Sequence, residues 1–262
     1  MEKKVSVIIP VFEAEEYIEE AVKSTLGFSE IGEVILVEDG SKDNSFLKCK
    51  KLESDFEFIK LVSHTNRENK GASASRNLGI KLANFPFIAF LDADDYFQPN
   101  RFKSFRDFFE KSIDFDGIYE PVQYFNGSQK IYRIKKNIPP EKLLHYLIRG
   151  TYGHFHTNGL LVKKDLLIKA GLFNESLRLH QDSELWLKLA FYGRLVSGNI
   201  NTPVAMVRVH SGNRIWSGTS NVSRFLQWRV TWAWAWNKPI GLLNKFLILR
   251  KLLKYKIGSL SE

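Results

Sequence analysis

The stretch Phe85–Pro86–Phe87–Ile88–Ala89–Phe90–Leu91–Asp92–Ala93–Asp94–Asp95 decides the fold prediction. It opens with a continuous apolar run bounded by turn-prone residues, which is typical of a buried strand. Three carboxylates then follow within four positions, and it is costly to keep so many close charges ionised unless they share a cation. The stretch therefore predicts either a metal–diphosphate site at the end of a strand or a solvated acidic turn.

Strand and helix patterns alternate ahead of this stretch. Val5–Val11, Glu33–Val37 and Phe58–Val62 favour strands, and apolar residues between Arg76 and Leu82 have helical spacing. Such alternation predicts a parallel, doubly wound α/β sheet whose strands end at one edge. We expect the polar clusters at these ends to line one crevice, which favours a nucleotide site: Pro10–Glu13, Glu38–Ser41 and Asp92–Asp95.

Beyond Asp95 the alternation weakens. Ile118–Phe125 and Lys130–Ile134 predict a hairpin closed at Asn126–Gly127, a dipeptide typical of tight turns. A helix is expected from Lys164 to Ala170, ended by the glycine that follows. This half should have mixed character and cover the crevice from the other side.

Asp182 begins a further helical pattern, in which Leu185, Leu189 and Tyr192 mark the buried face. Asp182 precedes Leu185 by three residues and so lies on the same face. As a structural residue it would be an N-cap or a first-turn carboxylate. As a functional residue it would be a general base held by a rigid helix. Spacing alone leaves both interpretations open.

Two other reactive side chains stand out. His210 follows the predicted strand Val204–Val209, where it would either ligate a metal or hydrogen-bond within a loop. Cys49 is the only cysteine, which excludes an intrachain disulfide and fits a reducing compartment. Its neighbours Lys48 and Lys50 could lower the thiol pKa, but no histidine lies near it in sequence, so we do not expect Cys49 to be catalytic.

The chain carries a net charge of +9, and most of that charge lies in the C-terminal tail. One acid, Glu262, faces eight basic residues there: Arg224, Arg229, Lys238, Lys245, Arg250, Lys251, Lys254 and Lys256. Aromatic and leucine side chains recur at helical spacing among them: Phe225, Trp228, Trp232, Trp236, Leu242, Phe246, Leu249 and Leu253. The tail would either pack on the domain or bind an anionic bilayer surface. Nucleic acid is not expected as a partner, because phosphate binding needs cations rather than apolar surface.

Targeting signals are not apparent. Met1–Lys4 leads directly into the strand pattern Val5–Val11, which is too short for the apolar core of a signal peptide. No segment approaches the roughly 20 apolar residues of a transmembrane helix. We expect a cytoplasmic protein that the tail could hold at the inner face of the cell membrane.

The ordered set of motifs resembles the GT-A glycosyltransferases, and most closely the family 2 group of inverting sugar transferases. The matching segments cover residues 5 to about 210: Val5–Phe12, Val37–Asp43, Asn69–Asn77, Leu91–Asp95, Gly171–Glu175 and Gln181–Trp186. The resemblance implies a Rossmann-like, mostly parallel central sheet flanked by helices, with a mixed acceptor-side half and a helical tail. Residues 1–97 would bind the nucleotide sugar, residues 98–222 would bind the acceptor, and residues 223–262 would form the tail.

The resemblance also implies roles for single residues. Asp92 would hold the ribose beside Ala93, and Arg76 would lie near the base or the diphosphate. Asp182 would deprotonate the acceptor hydroxyl. The base pocket would be lined by Pro10, Val11, Glu13 and Asp39, with Asp39 accepting from the uracil imide, and a Mn²⁺ or Mg²⁺ ion bridging the diphosphate would be held by Asp94, with His210 close by.

Three positions depart from the usual family pattern: Glu13 replaces Asn, Glu38 replaces Asp, and Gln181 replaces Glu. Glu13 adds a negative charge near the nucleotide, and its role is open.

By resemblance, the chain would transfer a sugar from a nucleotide diphosphate, such as a UDP-sugar, to a hydroxyl of a glycan or lipid-linked acceptor in bacterial surface polysaccharide synthesis. Two alternatives are a sugar-phosphate nucleotidyltransferase and an inactive glycosyltransferase-like binding protein. The first usually has a Gly-rich, basic loop after its first strand, which Pro10–Glu13 is not. The second is disfavoured because Asp94 and Asp182 are both present.

Overall fold

The computed structural model describes residues 3–127, 129–210 and 220–260. In these residues the chain forms a seven-stranded sheet, a smaller four-stranded sheet and helices on both faces of the larger sheet. The predicted α/β fold with a mostly parallel central sheet is therefore confirmed.

The first half alternates strands and helices as the sequence predicts. β1 pairs in parallel with β2 and β4, and β2 pairs in parallel with β3. Val11 lies opposite Glu38, and the Leu91 N–H donates to the carbonyl of Ile8 at 3.1 Å, so the strand ends share one edge. The elements of this half are β1 Val5–Val11, α1 Ile18–Lys23, β2 Ile31–Glu38, α2 Ser45–Asp55, β3 Ile59–Ser63, α3 Ala72–Leu82 and β4 Phe87–Phe90.

Neighbouring strand residues face opposite layers of core. Ile8 packs with the layer that includes Leu185 of the second half, whereas Val7 and Ile9 pack with the layer that includes Ile18. This alternation follows from the two-residue period of a strand. Because both faces are covered by helices, the central strands are mostly apolar, with Ser6 of β1 and Glu33 of β2 as buried polar exceptions that hydrogen-bond to each other.

The second half completes the large sheet and builds the small one. Its elements are β5 Tyr96–Phe97, α4 Lys103–Glu110, β6 Gly117–Tyr119, β7 Val122–Phe125, β8 Ile131–Tyr132, α5 Pro140–Arg149, β9 Leu160–Lys163, α6 Lys164–Ala170, α7 Gln181–Tyr192, β10 Leu195–Ser197 and β11 Ala205–Arg208. The large sheet has the order β10–β6–β9–β4–β1–β2–β3, with β9 antiparallel to both neighbours, and the small sheet has the order β5–β11–β7–β8. The helix predicted from Lys164 to Ala170 is confirmed, and Gly171 ends it at a φ of 87°.

The single strand predicted over Ile118–Phe125 is wrong. β6 ends at Tyr119 in the large sheet, and β7 begins at Val122 in the small sheet. Pro121 lies between them, and its missing N–H cannot join a ladder. The predicted hairpin is confirmed for β7 and β8, which pair antiparallel. The chain thus passes from one sheet to the other at this proline.

The tail forms two helices, α8 Asn221–Trp236 and α9 Leu242–Gly258, which pack on each other. α8 also contacts α7, where the Trp234 ring lies 5.5 Å from that of Phe191, and α9 contacts α5. The expected packing on the domain is therefore observed for one side of the tail. The other side of α9 is open, with Leu242 87%, Phe246 60% and Leu253 50% exposed. No helix in the described ranges has the length and apolar character needed to cross a membrane.

Asn77 on α3 joins the two halves of the chain. Its side-chain amide donates to the carbonyl of Phe173 at 2.9 Å and to a carboxylate oxygen of Glu175 at 2.8 Å. Its Oδ1 accepts from the Phe173 N–H at 2.9 Å. Asn77 is buried, as is Phe173, whose ring meets that of Phe90 edge to face at 5.5 Å. The amide thus satisfies backbone groups that water cannot reach.

We predict that Asn77→Ala lowers the free energy of unfolding by roughly 2–4 kcal/mol, because it leaves a buried N–H and a buried carbonyl of Phe173 without partners. Urea denaturation would measure this loss. The matched control is Asn44→Ala, since the Asn44 side chain is exposed and makes no capping hydrogen bond at the start of α2. Equal stability of the two variants would contradict the joining role of Asn77.

Candidate active site

The acidic turn after β4 points its carboxylates in different directions. Asp95 is buried, and its two oxygens accept from the Asn158 side-chain amide at 2.5 Å and from the Arg208 N–H at 2.7 Å. Asp92 and Asp94 remain partly open, with side chains 27% and 25% exposed. The turn is closed by a hydrogen bond of 3.0 Å from the Asp95 N–H to the Asp92 carbonyl. One carboxylate therefore anchors the turn, and two are available to a ligand.

Charge crowding in the turn acts unequally on these groups. Burial, followed by the charges of Asp94 and Asp92, raises the pKa of Asp95 well above its usual value. Burial would also raise the pKa of Asp92, but the Arg76 guanidinium and the His156 imidazole keep it below its usual value. Nη2 of Arg76 donates to Oδ1 of Asp92 at 2.5 Å. The Arg76 guanidinium thus offsets the predicted charge repulsion at Asp92, whereas at Asp95 the repulsion remains and raises the pKa.

Asp94 and His210, the two predicted metal residues, are in contact. Oδ2 of Asp94 lies 2.9 Å from Nε2 of His210, and the Tyr17 ring lies 5.4 Å from the imidazole. Two donor atoms at this separation can share one cation, and a carboxylate with an imidazole is a donor set that suits a divalent metal. Among the described residues, no group of three or more His, Cys, Asp or Glu could hold a metal.

Asp39 shapes the predicted base pocket by holding backbone. Its carboxylate oxygens accept from the N–H groups of Lys70 and Gly71, each at 2.8 Å. Gly71 immediately precedes α3 and has a φ of 85°, a conformation that glycine adopts without strain. The carboxylate therefore fixes the loop that leads into the helix bearing Arg76.

The other predicted nucleotide residues lie around the ends of β1 and β4. The Val11 side chain is fully buried, and its carbonyl accepts from the Asp39 N–H at 2.8 Å. Pro10 is half-buried and Ala93 is buried. Glu13 is exposed at a left-handed φ of 48°, and its N–H donates to the Ser41 hydroxyl at 3.1 Å. The structure thus brings these residues to one edge of the sheet.

Asp182 lies in the first turn of α7 but is not its N-cap. The N-cap is His180, in a left-handed conformation with no side-chain capping bond. The N-cap interpretation of Asp182 is therefore wrong, and its position is that of a first-turn carboxylate, which the helix dipole stabilises. Asp182 is half-buried, and Leu185 behind it is fully buried. Oδ1 of Asp182 accepts from the Ser183 N–H at 2.6 Å.

Acidic groups from both halves of the chain act on the His156 imidazole. Burial lowers the pKa of its imidazole, whereas the carboxylates of Asp92, Asp182 and Asp94 raise it. Nδ1 of His156 accepts from the Asn158 N–H at 3.2 Å, so Nε2 carries the proton. The strand end of the first half and the helix start of the second half therefore act on the same ring.

Sequence reasoning missed His156 and two tyrosines of the same wall. The Tyr132 ring lies 6.2 Å from that of His156. Burial raises the pKa of Tyr124 to about 12, with further contributions from the charges of Asp95, Asp182 and Asp92. These residues lie in irregular segments and in the short strands β7 and β8, where no period or motif singles them out. Only the placement of the small sheet brings them to the cleft.

Cys49 is unsuited to nucleophilic catalysis. Burial, together with the nearby carboxylates of Glu38, Asp43 and Glu53, raises the pKa of its thiol to about 12. The idea that Lys48 and Lys50 could lower this pKa is wrong, because α2 buries the thiol fully while flanking residues of a helix point away from it.

A mostly parallel sheet with an acidic turn at its carboxyl edge is the arrangement expected of a GT-A glycosyltransferase. The family model for glycosyl transferase family 2 matches residues 6–171, and the chain belongs to this family. That assignment displaces the nucleotidyltransferase alternative.

Similar proteins act in the synthesis of surface polymers. The chain is 32% identical over 214 residues to the minor teichoic acid biosynthesis protein GgaA of Bacillus subtilis, a match that covers 74% of this chain and 45% of GgaA. It is 28% identical over 198 residues to the succinoglycan biosynthesis protein ExoU of Rhizobium meliloti, covering 70% of this chain and 56% of ExoU. The chain thus spans about half the length of these relatives.

Solved structures show the same fold. The S. aureus TarS fragment 1–349 in complex with UDP-GlcNAc superposes with a TM-score of 0.77 at 22% identity, over 97% of this chain and 72% of that one. The mannosyltransferase PcManGT from Pyrobaculum calidifontis, in complex with GDP-Man and Mn²⁺, superposes with a TM-score of 0.61 at 17% identity, over 98% of this chain and 74% of that one.

Proposed function

We propose that this chain is an inverting glycosyltransferase that moves a sugar from a UDP-sugar to a hydroxyl of a glycan or lipid-linked acceptor in bacterial surface polysaccharide synthesis. The observation that carries the proposal is the contact of 2.9 Å between Asp94 and His210 beside the ion pair of Asp92 with Arg76. The charges of Asp92, Asp94 and Asp182 also act on the His156 imidazole, as expected if the two halves share one cleft. The UDP-GlcNAc complex of TarS and the names of GgaA and ExoU support the donor and the process.

In this proposal Asp182 is the general base. The acceptor oxygen attacks the anomeric carbon, the bond from that carbon to the donor diphosphate breaks, and the acceptor proton passes to the Asp182 carboxylate. Because the acceptor and the leaving group lie on opposite sides of the sugar, this single displacement inverts the anomeric configuration. The Nε2–H of His156 would orient the donor.

Arg76 and Asp92 would fix the nucleotide side of the donor. Their ion pair is mostly buried, and the Arg76 guanidinium also lies 5.4 Å from the Phe173 ring centroid. An arginine held by both an anion and a ring has little freedom left to lose when a ligand binds. Asp39 would act indirectly, because it holds the loop that leads into α3, the helix that bears Arg76.

Asp94 and His210 would hold a Mn²⁺ or Mg²⁺ ion. When bound, such an ion neutralises the charge that develops on the departing diphosphate. The chain's own contribution is to position the two donor atoms, since the Arg208 Nε–H donates to the Asp94 carbonyl at 3.0 Å and Arg208 packs against the Tyr17 ring.

The proposal also attaches the tail to the cytoplasmic face of an anionic membrane. Exposed apolar residues on α9 recur at intervals of three and four, which forms one stripe of an α-helix: Leu242, Phe246, Leu253 and Ile257, with Leu260 just beyond. Basic side chains flank the stripe: Lys245, Arg250, Lys254 and Lys256. An apolar stripe bordered by cations is suited to the interface of an anionic bilayer, where lipid-linked acceptors are found.

We predict that Asp182→Asn slows sugar transfer about 10²–10⁴-fold, because general-base assistance is lost, and leaves UDP affinity unchanged. Transfer of labelled sugar from a panel of UDP-sugars to isolated bacterial envelope material would measure the rate, and calorimetry the affinity. Asp165→Asn is the matched control, since Asp165 is an exposed acid in the first turn of α6. A native rate for Asp182→Asn would refute the base assignment, and a wild-type chain inert with every donor would favour the inactive alternative.

We predict that Mn²⁺ raises the melting temperature of the UDP complex and that Asp94→Asn or His210→Ala removes most of this increment. The reason is that a ligand bound only by the native state stabilises it, and each variant loses one of two metal donors. Differential scanning fluorimetry with and without Mn²⁺ would test this, with each variant's metal-free, UDP-free melting temperature as its own control. An unchanged Mn²⁺ increment in both variants would exclude this pair as the metal site.

We predict that the double change Phe246→Glu with Leu253→Glu reduces binding to phosphatidylglycerol-containing vesicles at least tenfold. Each buried side chain of this size contributes roughly 1.5–3 kcal/mol. Vesicle co-sedimentation would measure the binding. Leu47→Glu is the control, since Leu47 is an exposed leucine on α2. Wild-type binding by the double variant would show that the α9 stripe does not contact the bilayer.

A further inference from the structure

A group of cationic and imidazole side chains lies beside Asp182, where the starts of α7 and α8 meet. Oγ of Ser223, in the first turn of α8, lies 3.4 Å from Nε2 of His180, the N-cap of α7. Burial lowers the pKa of the His180 imidazole, the Arg224 charge lowers it further, and the Asp182 charge raises it. Arg224 and Asp182 therefore approach the same ring from the two helices.

Lys251 of α9 joins this group. Its Nζ lies 4.6 Å from the ring centroid of Trp228, which is only 5% exposed. Burial lowers the pKa of Lys251 to about 8, and the charges of Arg224, Lys254 and Arg250 contribute further. A lysine held in this way among other cations would regain favourable interactions if an anion bound beside it.

His154 connects Lys251 to the catalytic wall. Burial lowers the pKa of its imidazole, the charges of Lys251 and Arg224 lower it further, and the charge of Asp182 raises it. Its ring stacks on that of Trp186 at 6.2 Å. The charges of Lys251, Arg224 and Asp182 therefore all act on this ring, and the lowered pKa values keep the imidazoles of His154 and His180 neutral near pH 7.

Few carboxylates are available on this side of the cleft. The sequence contains no Asp or Glu between Glu184 and Glu262, so neither α8 nor α9 contributes one. Glu184 itself is bound by Lys188 at 2.6 Å. Asp182 is the acid that acts on both His154 and His180, and its proposed role requires it to face the acceptor hydroxyl.

We propose that Arg224 and Lys251, with the neutral imidazoles of His154 and His180, bind a phosphate group of the acceptor and thereby bring its hydroxyl to Asp182. This inference rests on the proposed function and narrows the acceptor to a molecule that carries a phosphate near the accepting hydroxyl. Guanidinium and ammonium groups with added N–H donors match the several acceptor oxygens of phosphate. The first-turn N–H groups of α8 favour an anion in the same place.

The site is distinct from the proposed place of the donor diphosphate. The Asp94–His210 pair packs with Arg208 and Tyr17, on the side of the small sheet and α1. Arg224 and Lys251 lie on the tail helices, where the Arg224 guanidinium is 5.6 Å from the Tyr255 ring centroid. A phosphate bound there would approach Asp182 from the tail.

The test uses the full chain saturated with UDP and Mn²⁺, so that the donor site is filled, and titrates glycerol 3-phosphate by ligand-observed NMR, with glycerol as the uncharged control. Lys251→Met and Arg224→Gln are each expected to weaken glycerol 3-phosphate binding about tenfold or more, because each removes a charge-assisted hydrogen bond. Lys254→Met, which removes an equal charge from the exposed side of α9, is expected to weaken it less than twofold.

Measuring the UDP affinity of the same variants distinguishes a failure of the phosphate-site inference from a failure of the proposed function. Lys251→Met keeps an unbranched stem against Trp228, and an unchanged UDP affinity would show that the cleft is intact. Equal weakening by Lys254→Met, or loss of phosphate binding when UDP is added to wild type, would overturn the inference while the proposed function stands. A wild-type chain that binds no UDP would instead overturn the proposed function.

Discussion

The buried carboxylate of Asp95 is the contact on which the geometry of the cleft depends. One of its oxygens accepts from Asn158 in the loop before β9, and the other accepts from the Arg208 backbone at the end of β11. Asn158 in turn accepts from the Asp92 N–H, and Arg208 leads directly to His210. A single side chain therefore sets where the acidic turn, the His156 loop and the proposed metal ligand lie relative to one another.

The same contact explains how three neighbouring carboxylates coexist. If all pointed into the cleft, their mutual repulsion would have to be met by a bound ion at all times. Instead Asp95 turns inward, where burial raises its pKa, and Asp92 is neutralised by Arg76. Asp94 lies beside His210 and is 25% exposed. Under the proposed function, anchoring, nucleotide binding and metal binding would thus be divided among residues that are adjacent in sequence.

Much of this arrangement follows from the sequence, and the remainder has physical reasons for being missed. The strands β1 to β4 and their common polar edge are predictable because long apolar runs alternate with helical patterns. The apolar pattern of Ile118–Phe125 is continuous, so the sequence does not predict a division at Pro121. Only the structure shows that the residues on either side of Pro121 pair in different sheets. Nothing in the local sequence distinguishes Asp95 from Asp92. The Asp95 side chain points into the protein because of hydrogen-bond partners that lie more than 60 residues away in the chain. The suggestion that Lys48 and Lys50 lower the pKa of Cys49 fails because residues adjacent in sequence occupy other faces of a helix, whereas the expectation that Cys49 is not catalytic agrees with its buried thiol.

The distribution of charge ties the two halves of the cleft to their proposed substrates. On the donor side, the proposal assigns a cation to the carboxylates at the strand ends, so that donor binding would depend on metal. On the acceptor side, α8 and α9 supply cations and no acids, so an anionic acceptor would need no metal to approach. The open apolar stripe lies on α9, the helix that also bears Lys251. A helix that touched both the bilayer and an acceptor phosphate would couple membrane attachment directly to acceptor placement, because any tilt of α9 would move Lys251 relative to Asp182.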